Sequence, residues 1–151
     1  MIEQYELLGG NLVAIEEVPL NQTHRYGVLD PGAENGALVA IKGLVEKPTP
    51  ADAPSNLAII GRYILDPQVM EDLSAFNKGA GGEIQITDTL ANLIGKLPLH
   101  GYKFQGQRYD CGSRLGFLAA NLAFALSHGD KGGQADLGEN LRSVLRDIIN
   151  T

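Results

Sequence analysis

Apolar positions along this chain change period several times, and each change predicts an element. "NLVAIEEV" (11–18) is an apolar run ending in two glutamates and followed by Pro19, which predicts a strand. "ALVAIKGLVEK" (37–47) predicts a longer strand, and the nearly all-apolar "NLAIIGRYIL" (56–65) predicts a mostly buried one. "LHGYKF" (99–104) alternates with the two-residue period of a strand. Elsewhere the period lengthens. "IEQYELL" (2–8) reads as the end of a helix closed by Gly9-Gly10. Asp66-Pro67 supplies N-cap and first-turn chemistry for a helix over "PQVMEDLSAF" (67–76). Ile86, Leu90, Leu93, Ile94 and Leu97 recur at helical spacing, with Thr87 or Asp88 as the cap. Ser113 is placed to cap a helix with Leu115, Leu118, Leu122 and Leu126 on one stripe, and Leu137, Leu141, Val144, Leu145 and Ile148 make a final amphipathic helix.

The polar breaks fit this order. "NQTHRYGVLDPG" (21–32) carries the turn signal Asp30-Pro31-Gly32. "PTPADAP" (48–54) reads as a short rigid loop, "NKGAGGE" (77–83) as a glycine loop and "HGDKGG" (128–133) as a break. Strands alternating with helices predict an α/β fold in which helices flank a mixed sheet. Residues 129–151 stand apart as a helical tail, a possible association element.

Composition narrows the function classes. With 151 residues and 44% hydrophobic content the chain can bury one core. A net charge of -6 argues against nucleic-acid binding, which needs a basic face, but leaves room for a small phosphorylated ligand held by one lysine and a metal. One cysteine, Cys111, excludes an internal disulfide and fits a reducing cytoplasm. The first residues lack the apolar stretch of a signal peptide, and no run approaches the roughly 20 residues of a spanning helix, so no membrane association is expected.

Candidate chemistry begins at Glu46-Lys47, where the long strand ends. Neighbours on a strand point to opposite faces, and Pro48 biases Lys47 toward an extended backbone. A carboxylate accepts hydrogen bonds from sugar hydroxyls and an ammonium pairs with phosphate, so the two suit separate parts of one elongated ligand. The alternative is that both reach solvent at the sheet edge. In "QRYDCGSRLG" (107–116), Asp110 lies before a helix start, where a lone carboxylate suits Mg²⁺ alongside phosphate oxygens; capping that helix is the alternative of equal standing. Cys111 reads as a small buried hydrophobe. "KGAGGEIQITD" (78–88) matches neither the P-loop nor the dinucleotide spacing, though Glu83 is placed to point into a cleft. His24, His100 and His128 are scattered and read as surface or turn histidines. No Gly-x-Ser-x-Gly stretch supports an esterase.

Taken together, "AIEEVP…RYGVLD", "GLVEKPTPADAPSNLAIIGRYIL", "GAGGEIQITDTLANLI" and "GQRYDCGSRLGFLAAN" resemble, in this order, the C-terminal half of the bacterial UTP–glucose-1-phosphate uridylyltransferases, the UDP-glucose pyrophosphorylases. The resemblance covers about residues 2–128. It implies a Rossmann-like nucleotide-diphospho-sugar transferase fold, with residues 1–128 as the sugar-phosphate-binding half of the transferase domain and 129–151 as the tail. It implies transfer of the uridylyl group of UTP to glucose 1-phosphate, giving UDP-glucose and pyrophosphate with Mg²⁺, and a homo-oligomer. By the same resemblance Glu46 accepts from glucose hydroxyls, Lys47 contacts the sugar phosphate, and the backbone of Gly27 approaches the sugar. Asp110 stands near metal and phosphates, and Asn56, Gly61, Arg62 and Glu83 line the same cleft. The glycine-rich nucleotide loop of the family's first half has no counterpart here. The chain is therefore expected to be a fragment inactive alone, self-associating through a bare strand edge and apolar faces. A nucleotidyltransferase of different base or sugar, and a non-catalytic sugar-phosphate-binding or assembly module, are the competing expectations.

Overall fold

The computed structural model describes residues 1–74, 85–128 and 137–150, which fall into two compact units, Met1–Gln105 and Gly106–Thr151. The first opens with helix α1 (Ile2–Leu8), which buries none of its residues and ends where Gly9 donates its N–H to the Tyr5 carbonyl at 2.8 Å. Among the described residues five strands follow: β1 (Asn11–Glu17), β2 (Gly27–Asn35), β3 (Leu38–Glu46), β4 (Leu57–Ile64) and β5 (Leu99–Lys103). A 3-10 turn at Leu20–Arg25 links the first two.

The sheet is mixed, as its α/β patterning predicts. β1 runs parallel to β5 and antiparallel to β4, while β2 pairs antiparallel with β3 and β3 antiparallel with β5. A single pair, Val28↔Ala58, joins β2 to β4 and closes the ring β1-β4-β2-β3-β5. The expectation of a bare strand edge is met only in part: the ring closes at this one pair, and beyond it β2 pairs with β3 alone and β4 with β1 alone. The continuous apolar run of β1 follows from its place in the ring: Asn11 through Ile15 are all buried, so both faces of the strand are covered.

The reading of Asp30-Pro31-Gly32 as a turn is also corrected. β2 runs straight through it and absorbs it as register irregularities between Asp30/Pro31 and Pro31/Glu34. A proline has no N–H to give to a ladder, but a bulge leaves one residue unpaired and so tolerates it. The chain reverses instead at Gly36-Ala37, closed by the pair Asn35↔Leu38, with Gly36 at φ 61°. That is a two-residue hairpin loop, whose positive φ glycine supplies at no steric cost.

Helix α2 (Pro67–Ser74) is capped by Asp66, whose Oδ1 accepts the Gln68 N–H at 2.9 Å. Helix α3 (Ile86–Leu93) begins after Gln85 without a side-chain cap. Thr87, expected as a cap, lies inside α3 and is buried, because the helix starts two residues earlier than a cap at Thr87 would place it. α3 packs on β3 and on α2. The core joins Val13, Ile15, Leu29, Val39, Ile41, Leu57, Ile59 and Leu99 of the strands to Val69, Leu90 and Leu93 of the helices. Ile94 and Leu97, beyond the end of α3, still pack against it.

The second unit contains α4 (Arg114–His128) and α5 (Leu137–Ile149), which pack together. Ser113 caps α4 as its position predicts, its Oγ accepting the Gly116 N–H at 3.0 Å. The anticipated apolar stripes are only partly covered. Leu115 and Leu118 are exposed while Leu122 and Leu126 are half-buried; on α5, Val144 and Ile148 are exposed while Leu141 and Leu145 are half-buried.

Candidate functional site

Glu46 is the last residue of β3 and pairs with Gly27, the first of β2. Its carboxylate is nearly enclosed, at 11% side-chain exposure, whereas the neighbouring Lys47 side chain is 54% exposed. Lys47 Nζ lies 3.6 Å from Glu46 Oε1. Two adjacent residues of a regular strand cannot meet in this way. The backbone explains it, and corrects the expectation of an extended Lys47: its φ is +47°, the only positive φ among the described non-glycine residues. Relative to a strand value near -120°, that rotation swings the Lys47 Cβ by roughly 170° about its N–Cα bond. The side chain then falls on the face that Glu46 already occupies.

Gly27 leaves room for the carboxylate. A Cβ there would meet Thr87 Oγ1 at 2.7 Å and Glu46 Oε2 at 3.2 Å. Gly27, Glu46 and Thr87 therefore converge from β2, β3 and α3, with Lys47 at the rim. Tyr63 of β4 adds a phenol under the same influence. Burial raises its pKa above the usual tyrosine value, and the negative charge of Glu46 raises it further. Thr87 and Tyr63 were not foreseen as site residues. Thr87 carried a signal, a hydroxyl inside an apolar helical stripe, but the spacing pointed to a cap. Tyr63 gave none beyond its place in a strand.

The other anticipated residues are placed as follows. The Asn56 carbonyl, just before β4, accepts the Val18 N–H at 2.9 Å. Gly61, at φ 72°, sits where the β1–β4 register slips between Val13 and Ile15, and its missing Cβ faces open space. Arg62 beside it is exposed, with NH1 donating to the Gly61 carbonyl at 3.1 Å. Glu83 and the whole glycine loop, 77–83, lie outside the described residues. His24 is exposed as expected, but His100 corrects its reading as a surface or turn residue: it is a half-buried position of β5.

Asp110 belongs to the second unit. Its Oδ1 accepts the Gly112 N–H at 3.0 Å and its carbonyl accepts the Ser113 hydroxyl at 3.3 Å, so the carboxylate shapes the turn before α4 while Ser113 does the capping. The Asp110 carbonyl lies so close to Gly116 that no Cβ would fit between them. Cys111 is exposed, not buried as expected, because this turn directs it outward ahead of the helix. Among the described residues no group of three or more His, Cys, Asp or Glu is placed to hold a metal ion. The described residues alone therefore do not gather three such ligands around Asp110.

The described residues thus form a mixed α/β ring with a carboxylate and an ammonium at a strand end, facing a glycine that clears space. The profile of the nucleotidyl transferase family matches residues 1–126, and the chain belongs to that family. Within it, the chain is 52% identical over 115 residues to the UTP–glucose-1-phosphate uridylyltransferase of Komagataeibacter xylinus, covering 76% of this chain and 40% of that protein. The solved UDP-glucose pyrophosphorylase complexed with UDP-glucose matches with a TM-score of 0.76 and 44% identity over 81% of this chain and 46% of its own. The UDP-glucose pyrophosphorylase of Acinetobacter baumannii matches with a TM-score of 0.79 and 33% identity, over 98% of this chain and 49% of its own. The chain thus spans less than half the length of each of these relatives. Among the described residues no helix is long and apolar enough to cross a membrane.

Proposed function

We propose that this chain forms the sugar-1-phosphate-binding part of a UTP–glucose-1-phosphate uridylyltransferase, which makes UDP-glucose and pyrophosphate from UTP and glucose 1-phosphate. The observation that carries the reading is the convergence of Gly27, Glu46 and Lys47, with the ammonium 3.6 Å from the carboxylate. In this reading the enclosed Glu46 carboxylate accepts hydrogen bonds from glucose hydroxyls, and the backbone at Gly27 lets the ring come close. The exposed Lys47 ammonium turns to the phosphate and offsets its charge. Asn56, Gly61 and Arg62 are assigned to the sugar-facing wall; the role expected of Glu83 falls outside the described residues.

The reaction is an in-line attack by a phosphate oxygen of glucose 1-phosphate on the α-phosphorus of UTP, with pyrophosphate leaving. It needs no protein nucleophile. The work of the chain is to position the attacking oxygen and reduce repulsion between two anions. Asp110 is the residue that would help hold Mg²⁺, which when bound offsets phosphate charge. Turnover is proposed only for this chain together with the part of the relatives' length that it does not span, acting in the cytoplasm as a homo-oligomer.

Calorimetric titration of glucose 1-phosphate into this chain tests the reading. Binding should weaken at least tenfold in Lys47→Ala and in Glu46→Gln, the loss of about 1.4 kcal/mol expected when a charge-assisted hydrogen bond is removed. Equal affinity in the original chain and both variants would reject the assignment.

A further inference from the structure

Lys47 holds a backbone conformation that an L-residue avoids, and two features pin it there. Its N–H donates to the Tyr26 carbonyl at 2.9 Å, continuing the β2–β3 ladder one step past Gly27↔Glu46. On its other side Pro48 is buried, although the residues around it are exposed. Beyond Pro48 the chain is stiffened again: Thr49 Oγ1 donates to Asp52 Oδ2 at 2.6 Å, and the Asp52 N–H returns to the Thr49 carbonyl at 3.0 Å. The ladder therefore fixes where Lys47 begins and the buried ring fixes where it must go. By itself Pro48 favours an extended residue before it, so φ +47° is held against that local preference by the ladder bond and the buried ring. Strain of this kind persists only where its surroundings over-determine it, and it gathers at functional sites.

We propose that Pro48 and the Tyr26 carbonyl are positioning elements. They hold Lys47 in a left-handed backbone, and that conformation places its ammonium on the face of Glu46. Neither needs to touch a ligand. An unstrained Lys47 would follow the strand and send its side chain to the opposite face, leaving the enclosed carboxylate without its cation. The consequence for sugar-phosphate binding rests on the function proposed above; the strain itself does not.

Urea unfolding of four variants reads the strain without any ligand. Lys47→Gly and Lys47→Ala both remove the ammonium and differ only in tolerance of positive φ. Glycine should give a folding constant roughly five- to tenfold larger than alanine, reversing the usual order of the two residues in a strand. Combined with Pro48→Ala, the same comparison should fall below about threefold, because the buried ring that anchors the chain after residue 47 is then gone. Glycine no better than alanine overturns the strain, and a ratio unchanged by Pro48→Ala overturns the role of Pro48. In calorimetry, Pro48→Ala with Lys47 intact should bind glucose 1-phosphate at least fivefold more weakly, and unchanged affinity would overturn the positioning role. If the original chain binds no glucose 1-phosphate, the sugar-phosphate reading falls alone, and the unfolding ratios still decide the strain and its cause.

Discussion

Adding one methyl group at Gly27 tests the packing that makes the site. The new Cβ would stand 2.7 Å from Thr87 Oγ1, well inside the 3.4 Å at which ordinary contact begins, and 3.2 Å from both Thr87 Cγ2 and Glu46 Oε2. Thr87 cannot easily swing aside. It is buried, it sits in the first turn of α3, and a β-branched side chain in a helix has few rotamers. Overpacking of this kind costs about 1–3 kcal/mol. With a slope of about 1–3 kcal/mol per molar urea, the unfolding midpoint of Gly27→Ala should drop by about 1 M. Thr87→Ala alone should cost about 1 kcal/mol through its lost buried contacts. The double variant removes both Thr87 atoms that the methyl would strike and leaves only the marginal approach to Glu46. It should therefore be more stable than the sum of the single losses by at least about 0.5 kcal/mol, the signature of a shared contact. Urea titrations followed by circular dichroism, with glucose 1-phosphate affinity measured alongside, give the full cycle. Strict additivity, or a Gly27→Ala chain as stable as the original, would refute the claim that β2, β3 and α3 meet tightly at this point.

Further expectations follow from single features. Because Tyr63 titrates above its usual value in the folded chain, its neutral form favours folding. Its contribution is intact below about pH 10 and is lost as pH rises from there toward the raised folded value. Urea midpoints measured from pH 9 to 11 should fall less steeply for Tyr63→Phe, and an unchanged slope would reject the assignment. Ser113→Ala removes the oxygen that accepts the Gly116 N–H and should cost about 1 kcal/mol, read as lost helicity or a lower midpoint. Leu90→Ala, at a fully buried position between α3 and the strands, should cost about 2–5 kcal/mol; a loss below 1 kcal/mol would mean that α3 is not seated on the core.

Much of the fold was legible in the amino-acid pattern. The apolar runs of β1, β3 and β4, the Asp66 and Ser113 caps, and the alternation of β5 all rest on local physics: periodicity, missing donors and capping oxygens act within a few residues. Misreadings came where a local signal met a tertiary one. Asp30-Pro31-Gly32 has turn chemistry, yet pairing with β3 on both sides holds it in a strand as a bulge. Pro48 should extend Lys47, yet the bond to Tyr26 and the burial of the proline ring impose a positive φ.

The candidate site divides in the same way. Sequence alone determined that an acid and a base stand together at a strand end, and that the motifs, with Gly27 among them, resemble those of a nucleotidyl transferase. These are statements about residue types in order, which the chain carries whatever its shape. Only the tertiary structure decided that Glu46 and Lys47 share a face, that Gly27 lies opposite Glu46, and that Thr87 and Tyr63 come near them. Those facts depend on the register of β2 against β3, on the seating of α3, and on one strained torsion. Each is set by contacts between residues far apart in the chain, and no local pattern records them.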